Sequence, residues 1–270
     1  NNRDGLSCQF ITALAINGKD MWAGTAYGLF KFDNEKKKWQ NIKSLLPADF
    51  EWVDQRINDL IFDRESNLWI GTENGIYKAI VFDDKIEISH YTKDDGLSHN
   101  YINTIITDGK AIYVGTMSGL SIYKDGNWRK SEKENKQEWQ SYCIRSLAID
   151  NGILWIGTLK ELLRHDTVTG NFSKINFEDE RFRYDIKSMY LKDDSLWVGT
   201  SSGLLKINKT NGNLLDYYRL PFVKEPFVEP GISNIEFDGD YVWLSNWSFS
   251  TNGAIIRYDR KTKTWRCFSR

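Results

Sequence analysis

Along most of the chain apolar and polar residues alternate with a period of two, in short runs separated by polar turns, which is the pattern of half-buried β-strands. One string recurs six times: MWAGTAYGLFKFD from position 21, LWIGTENGIYKAI from 68, IYVGTMSGLSIYK from 112, LWIGTLKELLRHD from 154, LWVGTSSGLLKIN from 196 and VWLSNWSFSTNGAIIRYD from 242. Its aromatic anchors, Trp22, Trp69, Tyr113, Trp155, Trp197 and Trp243, are 47, 44, 42, 42 and 46 residues apart. A period of about 44 residues is the length of a four-stranded propeller blade. Each period resolves into an alternating strand A (ITALAI, INDLIF, INTIIT, IRSLAI, IKSMYL, ISNIEF), the aromatic-x-Gly-Thr strand B, a Gly-Leu-rich strand C, and a strand D that often holds Trp or Phe. Short polar turns such as DRESN and KDGN join A to B and C to D as hairpins. The pattern therefore predicts an all-β fold. It is a single six-bladed β-propeller over 1–270, with four antiparallel strands per blade and strand A innermost. The blades are expected at 7–45, 53–93, 98–132, 141–177, 183–220 and 230–270, each from one contiguous segment.

The repeated residues have structural work to do. The strand-B aromatic supplies apolar area that wedges one twisted sheet against the next. The glycine two positions on (Gly24, Gly71, Gly115, Gly157, Gly199) marks close approach by a neighbouring backbone, and a second glycine (Gly28, Gly75, Gly119, Gly203) suits a turn with positive φ. Two blades depart from the rule. Blade 4 has Glu161 at the turn position, and blade 6 replaces Gly-Thr by Ser245-Asn246 and delays its glycine to Gly253, so that Trp247 is expected at the tip of a turn over the channel mouth.

Composition excludes several function classes. The 270 residues are 40% hydrophobic and 27% charged, with 36 basic against 37 acidic side chains, which rules out disorder and a broad basic face for nucleic acid. The 11 Trp, 13 Tyr and 14 Phe against only four Pro suit a strand-rich fold. No apolar run is long enough to cross a bilayer as a helix, so direct membrane insertion of this segment is not expected. The chain opens on Asn1 without a basic-then-apolar signal, and is expected to be a processed product or excised part of a larger protein. Three cysteines form neither a disulfide framework nor a CxxC knuckle, and pairing of Cys8 with Cys267 is left open.

The strings LWIGTENGIY, LWVGTSSGLLKIN and KDDGLSHNYINTI resemble the repeat of two-component regulator propellers, and the resemblance covers nearly the whole chain. It implies a sensor-type β-propeller of the kind found in hybrid histidine kinases, and with it an extracytoplasmic (periplasmic) place, with a cytoplasmic one left open. It carries over no catalytic residue.

In such a fold the D-to-A connections and B-to-C turns share the face around the channel mouth, and here they vary in length and content while the opposite turns are uniform. Variable loops on a rigid scaffold are where binding residues reside. The candidate ligand-binding residues are Trp52, Arg56, Tyr101, Trp139, Tyr142, Arg145, Arg183, Tyr184, Lys187 and Trp247. Rings would stack on a ligand and cations would pair with its oxygens. Arg145 and Lys187, each one residue into its A strand, stand where other blades have Thr12, Asn58, Asn103 and Ser233. Without a ligand the same rings would plug the mouth as small satellite cores. Chemistry is otherwise scarce. His90, His99 and His165 lack metal-ligand spacing, the Asp-Asp pairs lack the spacing of a calcium loop, and neither a phosphate loop nor a nucleophile motif occurs. The expectation is a non-catalytic ligand-binding or sensor module with no metal and no cofactor, whose partner is a small molecule, a saccharide being one candidate. The alternative is a protein–protein interaction scaffold.

Overall fold

The alternation that runs through the sequence is realised as six four-stranded antiparallel sheets, each built from four consecutive strands. The computed structural model describes residues 5–6, 10–46, 55–82, 85–130, 142–177, 185–220, 231–247 and 254–268. Blade 1 contains β1 (Ile11–Asn17), β2 (Asp20–Thr25), β3 (Gly28–Asp33) and β4 (Lys38–Asn41), and blade 2 contains β5 (Ile57–Phe62), β6 (Leu68–Thr72), β7 (Gly75–Val81) and β8 (Ile86–Tyr91). Blade 3 comprises β9 (Ile102–Thr107), β10 (Ile112–Thr116), β11 (Gly119–Lys124) and β12 (Asn127–Lys130). Blade 4 has β13 (Ile144–Asp150), β14 (Ile153–Thr158), β15 (Leu162–Asp166) and β16 (Phe172–Ile175). Blade 5 has β17 (Ile186–Lys192), β18 (Ser195–Thr200), β19 (Leu204–Asn208) and β20 (Leu214–Tyr218), and blade 6 has β21 (Gly231–Asp238), β22 (Tyr241–Trp247), β23 (Ala254–Asp259) and β24 (Thr264–Phe268). The only helical pieces among the described residues are two 3-10 turns, Ile42–Leu45 and Lys93–Asp95. The fold is thus all-β and made of six propeller blades. It divides into two compact units, Asn1–Ile144 with blades 1 to 3 and Arg145–Arg270 with blades 4 to 6, the boundary passing after the first residue of β13.

The strand-B motif explains how adjacent blades fit. Trp22, Trp69, Trp155 and Trp197 are fully buried and Tyr113 nearly so. Each motif glycine makes room for the first isoleucine of the following blade. A Cβ added at Gly24, Gly71, Gly115, Gly157 or Gly199 would come within 2.5 to 2.7 Å of the Cγ2 of Ile57, Ile102, Ile144, Ile186 or Ile232. The close approach is therefore made by a side chain, not by the neighbouring backbone as the sequence suggested, because the β-branched residue that opens each inner strand is the knob and the glycine is its hole.

The motif threonine staples the B-to-C turn. Thr72 Oγ1 donates to Gly75 O (2.9 Å) and accepts from Asn74 N (3.1 Å), and Thr25, Thr116, Thr158 and Thr200 repeat the arrangement. Gly75 has φ +117°, as a turn glycine should, whereas Glu161 keeps the same threonine bond in blade 4 without a positive φ. Trp243 of blade 6 departs from the other anchors. It is only half-buried, its ring stacked on Phe268 at 5.7 Å with the Arg257 guanidinium 5.6 Å from the ring centre.

Candidate functional site

The residue after the first isoleucine of the inner strand is where the scaffold and the candidate site meet. In β1, β5, β9, β17 and β21 the pairing with the next strand slips at this residue, leaving Thr12, Asn58, Asn103, Lys187 and Ser233 as bulge residues outside the ladder. In the first unit this residue joins neighbouring blades. Thr12 Oγ1 donates to Ile57 O, Asn58 Nδ2 to Ile102 O (2.8 Å) and Asn103 Nδ2 to Ile144 O (2.8 Å). In the second unit the donor moves one residue along the strand. Ser146 Oγ reaches Ile186 O (3.5 Å) and Ser188 Oγ reaches Ile232 O (3.0 Å). Arg145 and Lys187 are thereby released from holding blades together.

Both cations turn to one carboxylate. Arg145 Nε lies 4.0 Å from Asp185 Oδ1 and Lys187 Nζ 3.5 Å from Asp185 Oδ2, with the three side chains 39%, 22% and 25% exposed. Lys187 crosses Gly231, where any Cβ would collide with its ammonium. Asp185 Oδ1 is buried yet accepts no hydrogen bond. The arrangement thus offers guanidinium and ammonium donors beside an unfilled acceptor, at partial exposure and with a net charge of one positive. That combination suits a ligand presenting both a donor and an acceptor on adjacent atoms, since an unmet buried acceptor is costly until a donor arrives.

The first unit carries a second polar group on the same repeat positions. Tyr101 Oη donates to Glu73 Oε1 at 3.2 Å, and burial followed by the Glu73 carboxylate pushes the phenol's pKa up, while the exposed Arg56 opposes that shift. One seam further on, Cys143 Sγ lies 3.5 Å from Met117 Sδ. In each pair the residue after the motif threonine meets the residue before the next blade's inner strand. The half-buried Tyr142 offers its carbonyl to Gly119 N (3.0 Å).

Of the ten candidates, then, Arg145 and Lys187 are brought together around Asp185, and Tyr101 meets Glu73 within electrostatic reach of Arg56. Trp52, Trp139, Arg183 and Tyr184 lie outside the described residues, as does Cys8. Trp247 ends β22 with its backbone opposite Gly231, and its side chain also lies outside the description. Asp185, Glu73, Ser146 and Ser188 were missed by sequence reasoning. A signal for Asp185 existed in its proximity in sequence to Lys187, an acid two residues from a base. Cys143 and Cys267 are free thiols. Among the described residues no three His, Cys, Asp or Glu side chains converge as a metal cluster, and no helix is long and apolar enough to cross a membrane.

Residues 52–74 match the family model described as two component regulator propeller. This stretch is a repeat of that family. Among solved structures, the chain is similar to the extracellular domain of the hybrid two component system BT3049 from B. thetaiotaomicron, at 17% identity and TM-score 0.74, over 98% of this chain and 35% of that one. The chain thus spans about a third of that domain's length. It is also similar to virginiamycin B lyase from Staphylococcus aureus (16% identity, TM-score 0.70, 97% of this chain and 84% of that one). A third neighbour is YCF48 bound to D1 peptide (15% identity, TM-score 0.67, 96% and 80%). No curated protein matches the chain in sequence. At these identities the neighbours establish the propeller fold, and their differing roles, a two component system, a lyase and a peptide complex, show that the fold alone does not select a function.

Proposed function

We propose that the chain is a non-catalytic ligand-binding module of an extracytoplasmic sensor protein, taking a small hydroxyl-bearing molecule, a saccharide being the leading candidate, between Arg145, Asp185 and Lys187. The observation that carries this reading is the displacement of the interblade bond onto Ser146 and Ser188, which leaves two cations and one unfilled acceptor with no structural duty at the inner edge of blades 4 and 5. Adjacent hydroxyls each donate and accept, so a vicinal diol satisfies Asp185 Oδ1 and the cations at once. The two component regulator propeller repeat and the extracellular neighbour support the sensor setting. The test is calorimetry with a panel of neutral and acidic oligosaccharides on wild-type, Arg145→Ala and Lys187→Ala proteins. Binding by the wild type that weakens roughly ten- to 150-fold in each variant, the range of one lost charged hydrogen bond, supports the site. A ligand whose affinity neither variant changes removes it.

A protein-binding scaffold is the second reading. The innermost strand of blade 1 favours it, because Leu14 and Ile16 on β1 are 57% and 65% exposed beside an exposed Phe10.

A further inference from the structure

Blades 2 and 3 flank an open cavity of about 420 Å³ at the end that carries the A-to-B and C-to-D turns, away from the inner-strand bulges. Four cations border it, two from each blade: Arg64 and Lys78 from blade 2, Lys110 and Lys124 from blade 3. Two of them are held in place. Arg64 reaches across the seam to donate from Nη2 to Asp108 O (3.3 Å), lying over Gly109, where any Cβ would overlap the guanidinium. Lys78 is held with its ammonium 5.5 Å from the centre of the Trp69 ring. Among the described residues none of the four makes an ion pair with a carboxylate.

The acids nearby are already engaged. Asp63 accepts from Asn67 N (2.8 Å), Asn67 Nδ2 (2.9 Å) and Trp69 Nε1 (2.8 Å), while Asp108 accepts from the amides of Lys110 and Ala111 and from the Tyr113 hydroxyl. Neutral donors hold these carboxylates in their turns without cancelling their charge, so the cavity is lined by three acids, Asp63, Glu65 and Asp125, against four cations. Tyr123 adds a phenol whose pKa is pushed up by burial and then by Tyr91, so it remains a neutral hydroxyl at the cavity wall. Cations free of ion pairs on both sides of a seam, four against three lining carboxylates, are the complement of a ligand carrying separated anionic groups.

We infer that this cavity is a binding site for a small organic anion with two or more carboxylate or phosphate groups, bridging Arg64 and Lys78 of blade 2 to Lys110 and Lys124 of blade 3. The site is independent of the Arg145 group and rests on none of its evidence.

Citrate and pyrophosphate, titrated into the intact chain at low ionic strength by calorimetry with tryptophan fluorescence in parallel, distinguish the carboxylate from the phosphate source. Saturable one-to-one binding of either probe is expected, weakened at least tenfold in Lys78→Met/Lys124→Met and in Arg64→Gln/Lys110→Met, and unchanged in Arg145→Ala. Thermal melts of each variant establish that it is folded, and Lys110→Met/Lys124→Met, which leaves both anchored cations in place, serves as the second probe should either of the first two pairs unfold. The inference is overturned if neither probe saturates, if the folded double variants bind as the wild type does, or if Arg145→Ala alone abolishes binding.

Discussion

Asn103 and Arg145 occupy the same repeat position in neighbouring blades, and replacing each by alanine should have opposite consequences. Asn103 Nδ2 donates to Ile144 O at 2.8 Å, tying β9 to the last residue of the first unit. Asn103→Ala deletes that bond and leaves the Ile144 carbonyl without its donor, which costs about 1–3 kcal/mol. For a cooperative unit of this size each kcal/mol lowers Tm by about 2–4 °C, so a drop of roughly 2–10 °C is expected. Arg145→Ala removes no interblade bond, because Ser146 already donates to Ile186 O, and its 4.0 Å contact with Asp185 is a partly exposed ion pair worth about 0–1 kcal/mol. Its stability should stay within about 0.5 kcal/mol of wild type. Ser188→Ala, which removes a 3.0 Å bond to Ile232 O, should behave like Asn103→Ala. Urea unfolding followed by tryptophan fluorescence, with the m-value as a check on two-state behaviour, resolves differences of this size. If Arg145→Ala destabilises as much as Asn103→Ala, Arg145 is a structural residue and the case for a binding site at blades 4 and 5 collapses.

Other consequences follow from the seams. Trp155→Ala should cost about 3–5 kcal/mol in chemical denaturation, and Trp243→Ala distinctly less, because only the first ring is fully buried. Gly157→Ala puts a methyl 2.5 Å from both Ile186 Cγ2 and Ser146 Oγ and should cost about 1–3 kcal/mol, while combination with Ile186→Ala should cost less than the two changes added. The Asp59 carboxyl, which accepts from Ile105 N (2.7 Å) and Leu60 N (2.8 Å), is pushed by burial from 3.8 to about 6. Its folded state holds the proton more tightly than the unfolded chain, so the associated stability is complete below pH 3.8 and is lost as pH rises through 6. The loss amounts to about 3 kcal/mol. Denaturation midpoints between pH 3.5 and 7.5 should fall accordingly in wild type and much less in Asp59→Asn; parallel slopes would show that other groups set the dependence.

The scaffold was legible because its signals are local and repeated. Period-two alternation located every inner strand, and the spacing from Trp22 to Trp243 gave the number of blades, since a glycine that must accept an isoleucine and a threonine that must close a turn leave little choice of residue. Contacts between blades were less legible, because they join positions more than 40 residues apart. Nothing near Arg145 in sequence announces that Ser146 has taken over the bond that Asn103 makes, and nothing near Tyr101 announces Glu73, which is 28 residues away. Four of the ten candidates, Trp52, Trp139, Arg183 and Tyr184, stand in the connections where the repeat lapses, and periodic reasoning has no grip there.

A repeat protein faces a constraint that single-copy folds do not, in that a residue altered for binding is also one of six equivalent structural residues. The inner-strand bulge shows one way around it. A bulge leaves its residue outside the ladder, so the side chain is tied to the fold only by whatever bond it makes across the seam. Moving that bond to the next residue, from Asn103 in blade 3 to Ser146 in blade 4 and Ser188 in blade 5, keeps the seam closed while freeing the bulge position for any side chain. Serine suits the transfer because its short hydroxyl reaches the neighbouring carbonyl from a position paired within the sheet, as Ser188 is with Gly199. Charge at the residue before the serine is then decoupled from blade packing, and Arg145 and Lys187 can meet Asp185 without loosening the interface that carries them.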